Sequence, residues 1–128
     1  MEHTTARPSD MLSAESDSIS ALTEVINGFR DEREWRQFHN AKDLALSISL
    51  EAAELLEVFQ WKTSEDAVSA HREELLEELS DVVIYCLQLA SDLEANLGEA
   101  IVAKLAKNGE KYPVDKAKGT SKKYTEIG

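Results

Sequence analysis

The sequence is short of what would place it on nucleic acid, in a membrane or behind a disulfide. Basic residues are scarce: 14 Lys and Arg stand against 25 Asp and Glu, for a net charge of −11 and a pI near 4.7. That balance argues against nucleic acid or an anionic membrane as a partner. It does not argue against a nucleotide held through a metal ion, because a cation reverses the local sign. No apolar run approaches the ~20 residues of a membrane span, and no early stretch has the form of a signal peptide. Cys86 is the only cysteine. It leaves no disulfide within one chain and, placed mid-helix among apolar residues, reads as a buried small hydrophobe. A reduced, cytoplasmic protein is the expectation. Glycine-rich phosphate loops, internal repeats and strand-like alternation are missing too.

What is present is helical periodicity, in 128 residues that suit one domain. Residues 1–16, rich in Ser, Thr, Asp and Glu, read as a disordered leader. From Asp17, the apolar residues Ile19, Leu22, Val25, Ile26 and Phe29 predict a first helix running towards Phe38. A second is expected from Asn40 to Trp61, with Leu44, Ala45, Ile48, Ala52, Leu55, Leu56 and Phe59 as its core stripe. Thr63 to Asp66 reads as a turn with a capping residue. A third helix spans Ser69 to Ala95, turning Leu75, Leu76, Leu79, Val82, Val83, Cys86, Leu87 and Ala90 inward. Asn96 and Glu99 have the form of a capping box opening a fourth helix, which Tyr112-Pro113 stops near Lys111. The expected architecture is an all-α four-helix bundle over 17–112, assembled as an oligomer, with a basic extended tail over 113–128.

Two acidic pairs stand out. Glu51 and Glu54 lie three residues apart in "SLEAAELLEVFQW", and Glu78 and Asp81 repeat that spacing in "EELSDVVIYCLQLA". The spacing sets each pair on one helix face, where like charges repel by roughly 0.2–0.5 kcal/mol. Glu74, Glu78, Asp81 and Tyr85 share one track beside the apolar stripe. If the second and third helices pack antiparallel, both pairs meet across their seam. A hard divalent cation relieves the repulsion, and Mg²⁺ takes oxygen ligands together with substrate phosphates. With 25 acidic residues, such pairs also arise by chance on solvated faces. A di-iron carboxylate centre needs Glu-x-x-His on two helices. His39 and His71 follow Arg36 and Val68 at that distance, so this alternative fails. Zinc lacks clustered His and Cys.

Flat rings and cations supply the rest of a nucleotide site. "REWRQFHN" carries Trp35 and His39, Trp61 ends the second helix with Lys62 directly after it, and Tyr85 sits one turn beyond Asp81. Such rings stack on a heterocycle for roughly 1–3 kcal/mol each, although packing at helix ends is the commoner use of tryptophan. Lys104, Asn108 and Lys111 form a face suited to phosphate oxygens, as Lys62 is; individually these lysines suit an ordinary solvated face.

In order, "REWRQFHN", "SLEAAELLEVFQW", "EELLEELSDVVIY", "KLAKNGEKYP" and "SKKYTEI" resemble the MazG-like all-α nucleoside triphosphate pyrophosphohydrolases, nearest the small dCTP pyrophosphatases. The resemblance covers nearly all of 19–127. It implies hydrolysis between the α and β phosphates, with Glu51, Glu54, Glu78 and Asp81 as catalytic Mg²⁺ ligands. It further implies a base pocket of Trp35, His39, Trp61 and Tyr85, and Lys104, Asn108 and Lys111 on the phosphate side. Two departures stand out: Leu50 replaces the first glutamate of the Glu-Glu-x-x-Glu found in many relatives, and Ile26 replaces a histidine that animal relatives carry near the base. The resemblance also implies a homo-oligomer with sites between subunits, a tetramer in preference to a dimer. The favoured substrate is dCTP or a modified dCTP. The competing readings are dUTP or an oxidised purine triphosphate and, from another class, a non-enzymatic oligomerisation or regulatory module whose acids are merely solvated.

Overall fold

Ser18 accepts a hydrogen bond from the Ala21 N–H at 3.1 Å and so caps the first helix, α1, over Ile19–Glu32. The computed structural model describes residues 18–127, which leaves the expected leader outside the described residues. Helix α1 stops short of Phe38 because Glu34 adopts a left-handed backbone (φ 53°). Trp35–Phe38 then form a single 3₁₀ turn. Asn40 and Asp43 form a reciprocal capping box: the Asp43 N–H donates to Asn40 Oδ1 at 2.8 Å and the Asn40 N–H to Asp43 Oδ2 at 3.3 Å. Helix α2 follows over Ala41–Glu57.

The region between the acidic pairs is more broken than periodicity suggests. Val58 to Lys62 turn instead of continuing α2, and Trp61 is left-handed at φ 63°. Thr63 accepts from the Asp66 N–H at 3.1 Å and opens a short α3, Ser64–Ala70. His71 breaks the expected long helix, so α4 starts afresh at Arg72 and ends at Asp92.

Helix α2 packs along α4, and α1 also packs on α4. The α2–α4 pairing is antiparallel, as expected: His39 lies beside Tyr85, whereas the later Glu51 lies beside the earlier Glu78. Leu44, Val58, Ala67 and Leu87 are the buried apolar core. Much of the expected inward stripe is in fact open to solvent. Leu56 is 67% exposed, Leu76, Leu79 and Val83 are nearly half exposed, and Ala45 and Ala52 are exposed as well. Periodicity marks an apolar face without saying that one chain covers it.

A buried ion pair ties α1 to α4. The Arg30 guanidinium, fully buried, grips both carboxylate oxygens of Asp92 and donates through Nε to Asn27 Oδ1 at 3.2 Å. Asn27 in turn donates to Ser91 Oγ at 2.9 Å.

The chain divides after Ala95 into two compact units. In the second, Asn96 accepts from the Glu99 N–H at 3.1 Å and caps α5, Leu97–Lys111. The return bond from the Glu99 side chain does not form among the described residues, so this is a simple cap and not the expected box. The tail is not wholly extended: after Pro113 a short α6 covers Val114–Ala117, and Tyr124 meets Tyr112 edge to face at 5.9 Å. No helix of the described residues is long and apolar enough to cross a membrane.

Candidate functional site

The antiparallel seam of α2 and α4 brings the carboxylates together. One oxygen each of Glu51, Glu54 and Glu78 lies within 4.8 Å of the others. Oε2 of Glu51 and Oε2 of Glu78 are buried without a hydrogen-bond partner among the described residues. Burial and the neighbouring Glu54 push the Glu51 carboxyl up to about 7, with the charges of Asp81 and Glu78 adding to the shift. Glu78 is raised as well, by burial and by Glu54. These are groups short of a cation: hard oxygen donors, mutually repelling, some with unsatisfied lone pairs. The donor set therefore fits a divalent metal ion held by Glu51, Glu54 and Glu78. Asp81, the fourth expected ligand, lies outside that tight trio but close enough for its charge to act on Glu51 and Glu78.

Asp81 turns instead towards a cavity of about 360 Å³ between α1, the 3₁₀ turn and α4, where it lines the wall with Trp35, His39 and Tyr85. That volume lies in the range of small-ligand pockets. Val25, Ile26 and Phe29 supply an apolar wall from α1. Phe29 and Trp35 meet edge to face at 5.7 Å, as do His39 and Tyr85 at 6.5 Å. His39 Nδ1 is buried without a partner among the described residues. Burial raises the Tyr85 hydroxyl pKa, and the charges of Glu51, Asp81 and Glu54 raise it further, so it stays a protonated donor. Three of the four expected ring residues thus share one pocket that adjoins the carboxylates through Asp81.

The other expected residues are not among those that line this cavity. Trp61 does not line this cavity and is fully exposed on its left-handed turn. Lys62 Nζ donates to the Val58 carbonyl at 3.2 Å, capping the turn after α2. Lys104, Asn108 and Lys111 all lie on α5 in the second unit, where Lys111 Nζ sits 4.9 Å from the centre of the Tyr124 ring. Five lining residues were absent from the expected site: the apolar Val25, Ile26, Phe29 and Ile84, and the polar Gln88. Gln88 lies one turn beyond Tyr85 on the acidic track already noted, and extending that track would have found it.

The cluster sets a pH dependence. A carboxyl raised from 4.5 to about 7 on folding binds its proton more tightly in the folded chain. Its contribution to stability is full below the unfolded value and is lost as pH rises through the folded one. In chelator, the melting temperature should therefore fall between pH 5 and pH 7.5. A divalent cation held there would compete with that proton, so Mg²⁺, used as the probe, should stabilise more at pH 7.5 than at pH 5. At 100 times its dissociation constant the gain is about 2.7 kcal/mol. Calorimetric melts at the two pH values check both statements; equal Mg²⁺ shifts at both would remove the cluster as the metal site.

Comparison with known proteins gives the family. Residues 46–127 match the MazG-like family. The chain is 40% identical to dCTP pyrophosphatase 1 of Mus musculus over 77% of its own length and 61% of the mouse protein. It is 35% identical to the Bos taurus dCTP pyrophosphatase 1 over 98% of this chain and 77% of that one. The match to the mouse protein thus spans less than two thirds of that protein's length. Among solved structures, a pyrophosphatase from Archaeoglobus fulgidus superposes with a TM-score of 0.70 at 43% identity, over 74% of this chain and 92% of that one. On matched length and on identity alike, the chain belongs to the MazG-like family.

Proposed function

We propose that this chain is a Mg²⁺-dependent nucleoside triphosphate pyrophosphohydrolase that converts a deoxynucleoside triphosphate, dCTP or a modified dCTP, to the monophosphate and pyrophosphate. The observation that carries the reading is the adjacency of a carboxylate trio and an aromatic pocket, with Asp81 between them. Its relatives' names support the substrate. Glu51, Glu54 and Glu78, with Asp81 beside them, would hold the ion. Bound Mg²⁺ supplies neutralisation of phosphate charge and activation of water. Trp35, His39 and Tyr85 hold the base by stacking and by the Tyr85 hydroxyl, which positions the α phosphorus beside the carboxylates. Water attacks that phosphorus in line, its proton passes to a carboxylate of the cluster, and pyrophosphate leaves.

The remaining assignments belong to the same proposal. With sites built between subunits, Trp61 of a neighbouring copy would be a further base contact, and Lys62, Lys104, Asn108 and Lys111 would serve the phosphates. Exposed Leu56, Leu76, Leu79 and Val83 support a homo-oligomer, a tetramer in preference to a dimer, because a stable monomer rarely leaves so much apolar helix surface open. The lone Cys86 suits the reducing cytoplasm.

The test is pyrophosphate release from dCTP, 5-methyl-dCTP, dUTP, dTTP, dATP and dGTP, with Mg²⁺ and with chelator. Metal-dependent release with dCTP or its methyl derivative favoured is the expected result. Release favouring dUTP would change the substrate alone, and silence across the panel would hand the chain to the binding-module reading.

A further inference from the structure

Gln88 is 5% exposed, lines the aromatic pocket, and has no partner for its Oε1 among the described residues. A buried amide oxygen left without a partner costs roughly 1–3 kcal/mol, so its position calls for a ligand to complete it. The other polar groups of the wall are Asp81, His39 and the Tyr85 hydroxyl, none of which sets a donor directly beside an acceptor. Ile26, Val25, Phe29 and Ile84 are apolar, while Trp35 presents a ring. An amide carries a donor and an acceptor side by side, a pairing that matches the edge of an aminopyrimidine, where an exocyclic amino group stands next to a ring nitrogen acceptor.

From this geometry we infer that Gln88 is the specificity-determining residue of the base pocket, hydrogen-bonding the Watson–Crick edge of the bound base through its side-chain amide. The inference rests on the nucleotide reading above and deepens it. The rings hold any base by its faces, which every base shares; the Gln88 amide asks what stands on the base's edge. Its carbonyl accepts from the 4-amino group and its NH₂ donates to N3. The nearby Asp81 carboxylate, an acceptor only, favours an amino group over a carbonyl oxygen in the same cavity.

The experiment measures kcat/KM for dCTP, dUTP and the triphosphate of 2′-deoxyzebularine, a cytosine analogue without the 4-amino group. The variants are Gln88→Leu and Gln88→Glu. In the wild type, loss of the amino group should lower kcat/KM by about 10- to 100-fold, because the site's buried polar group is then left unpaired. Gln88→Leu should lower kcat/KM for dCTP by a similar factor, and the preference for dCTP over the analogue should vanish. Gln88→Glu should lower the ratio of dCTP to dUTP, since a carboxylate has no N–H for N3 of cytosine and repels that nitrogen's lone pair, whereas it accepts from the N3–H of uracil. A merely structural glutamine would weaken all three substrates alike, and unchanged ratios in both variants overturn the inference. Should Gln88→Leu not fold, the glutamate variant decides alone, with Gln88→Met as the apolar control. A wild type silent on every substrate would instead remove the proposed reaction, and this inference with it. An active, selective wild type whose preference survives both substitutions removes only the inference.

Discussion

Glu54→Gln and Asp81→Asn should each cut pyrophosphate release by about 10³-fold or more and leave the helical circular dichroism unchanged. Both substitutions keep the shape of the side chain and remove one negative charge. Glu54 belongs to the trio whose oxygens lie within 4.8 Å, and its presence is one reason that Glu51 and Glu78 hold their protons so firmly. Removing that charge in chelator relaxes the repulsion, so Glu54→Gln should melt no lower than the wild type, and higher above pH 7. In saturating Mg²⁺ the order should reverse, because the variant gains less from the ion. Activity falling while intrinsic stability holds or rises is the mark of a site kept for function against the interest of the fold. Should turnover survive both substitutions, the metal-site assignment goes. Should both variants unfold, the carboxylates would be structural.

The second large effect concerns stability alone. Asp92→Ala should cost about 3–5 kcal/mol, because it strands the fully buried Arg30 guanidinium. For a domain of this size that lowers the melting temperature by about 12 °C or more. Arg36, whose Nη1 lies 3.7 Å from the same carboxylate, is paired also with Asp31 and, being a cation itself, offers the stranded Arg30 no compensation. Replacing both partners, as in Arg30→Met with Asp92→Leu, should recover most of the loss, since the penalty comes from the unpaired charge more than from the absent attraction. Urea melts of the two single variants and the double variant measure it. A loss below about 1 kcal/mol for Asp92→Ala would mean that water reaches the guanidinium. The pair matters to the site because it pins α1, which forms one wall of the pocket, to α4, which forms the other.

The legible and the hidden parts of this molecule divide along a physical line. Patterns local to one helix could be read: the apolar stripes of α1, α2 and α4, the caps at Thr63 and Asn96, and the two carboxylate pairs whose spacing puts each on one face. The breaks were harder. Nothing in Glu34 or His71 announces a left-handed residue or a helix junction, because neither Gly nor Pro marks the place. Arg30 and Gln88 were missed for a related reason. A charged or amide side chain on a helix reads as solvent-facing until a distant partner or wall covers it. For Arg30 that partner stands 62 positions away. Trp61 was grouped with the other rings on chemistry, and position along the chain could not tell that it stands apart from their cavity.

Trp61 also carries a cost of its own. A bulky aromatic held in the left-handed region is destabilised by on the order of 1–3 kcal/mol, and full exposure leaves its ring no packing inside the chain to offset that. By the logic of minimal frustration, folding alone would favour a glycine or an asparagine at such a turn. Covering an indole of ~200 Å² removes enough apolar surface from water to contribute about 5 kcal/mol, more than the backbone loses. The turn between α2 and α3 therefore leaves the free chain less stable than it could be, a cost that anything covering the ring would more than offset.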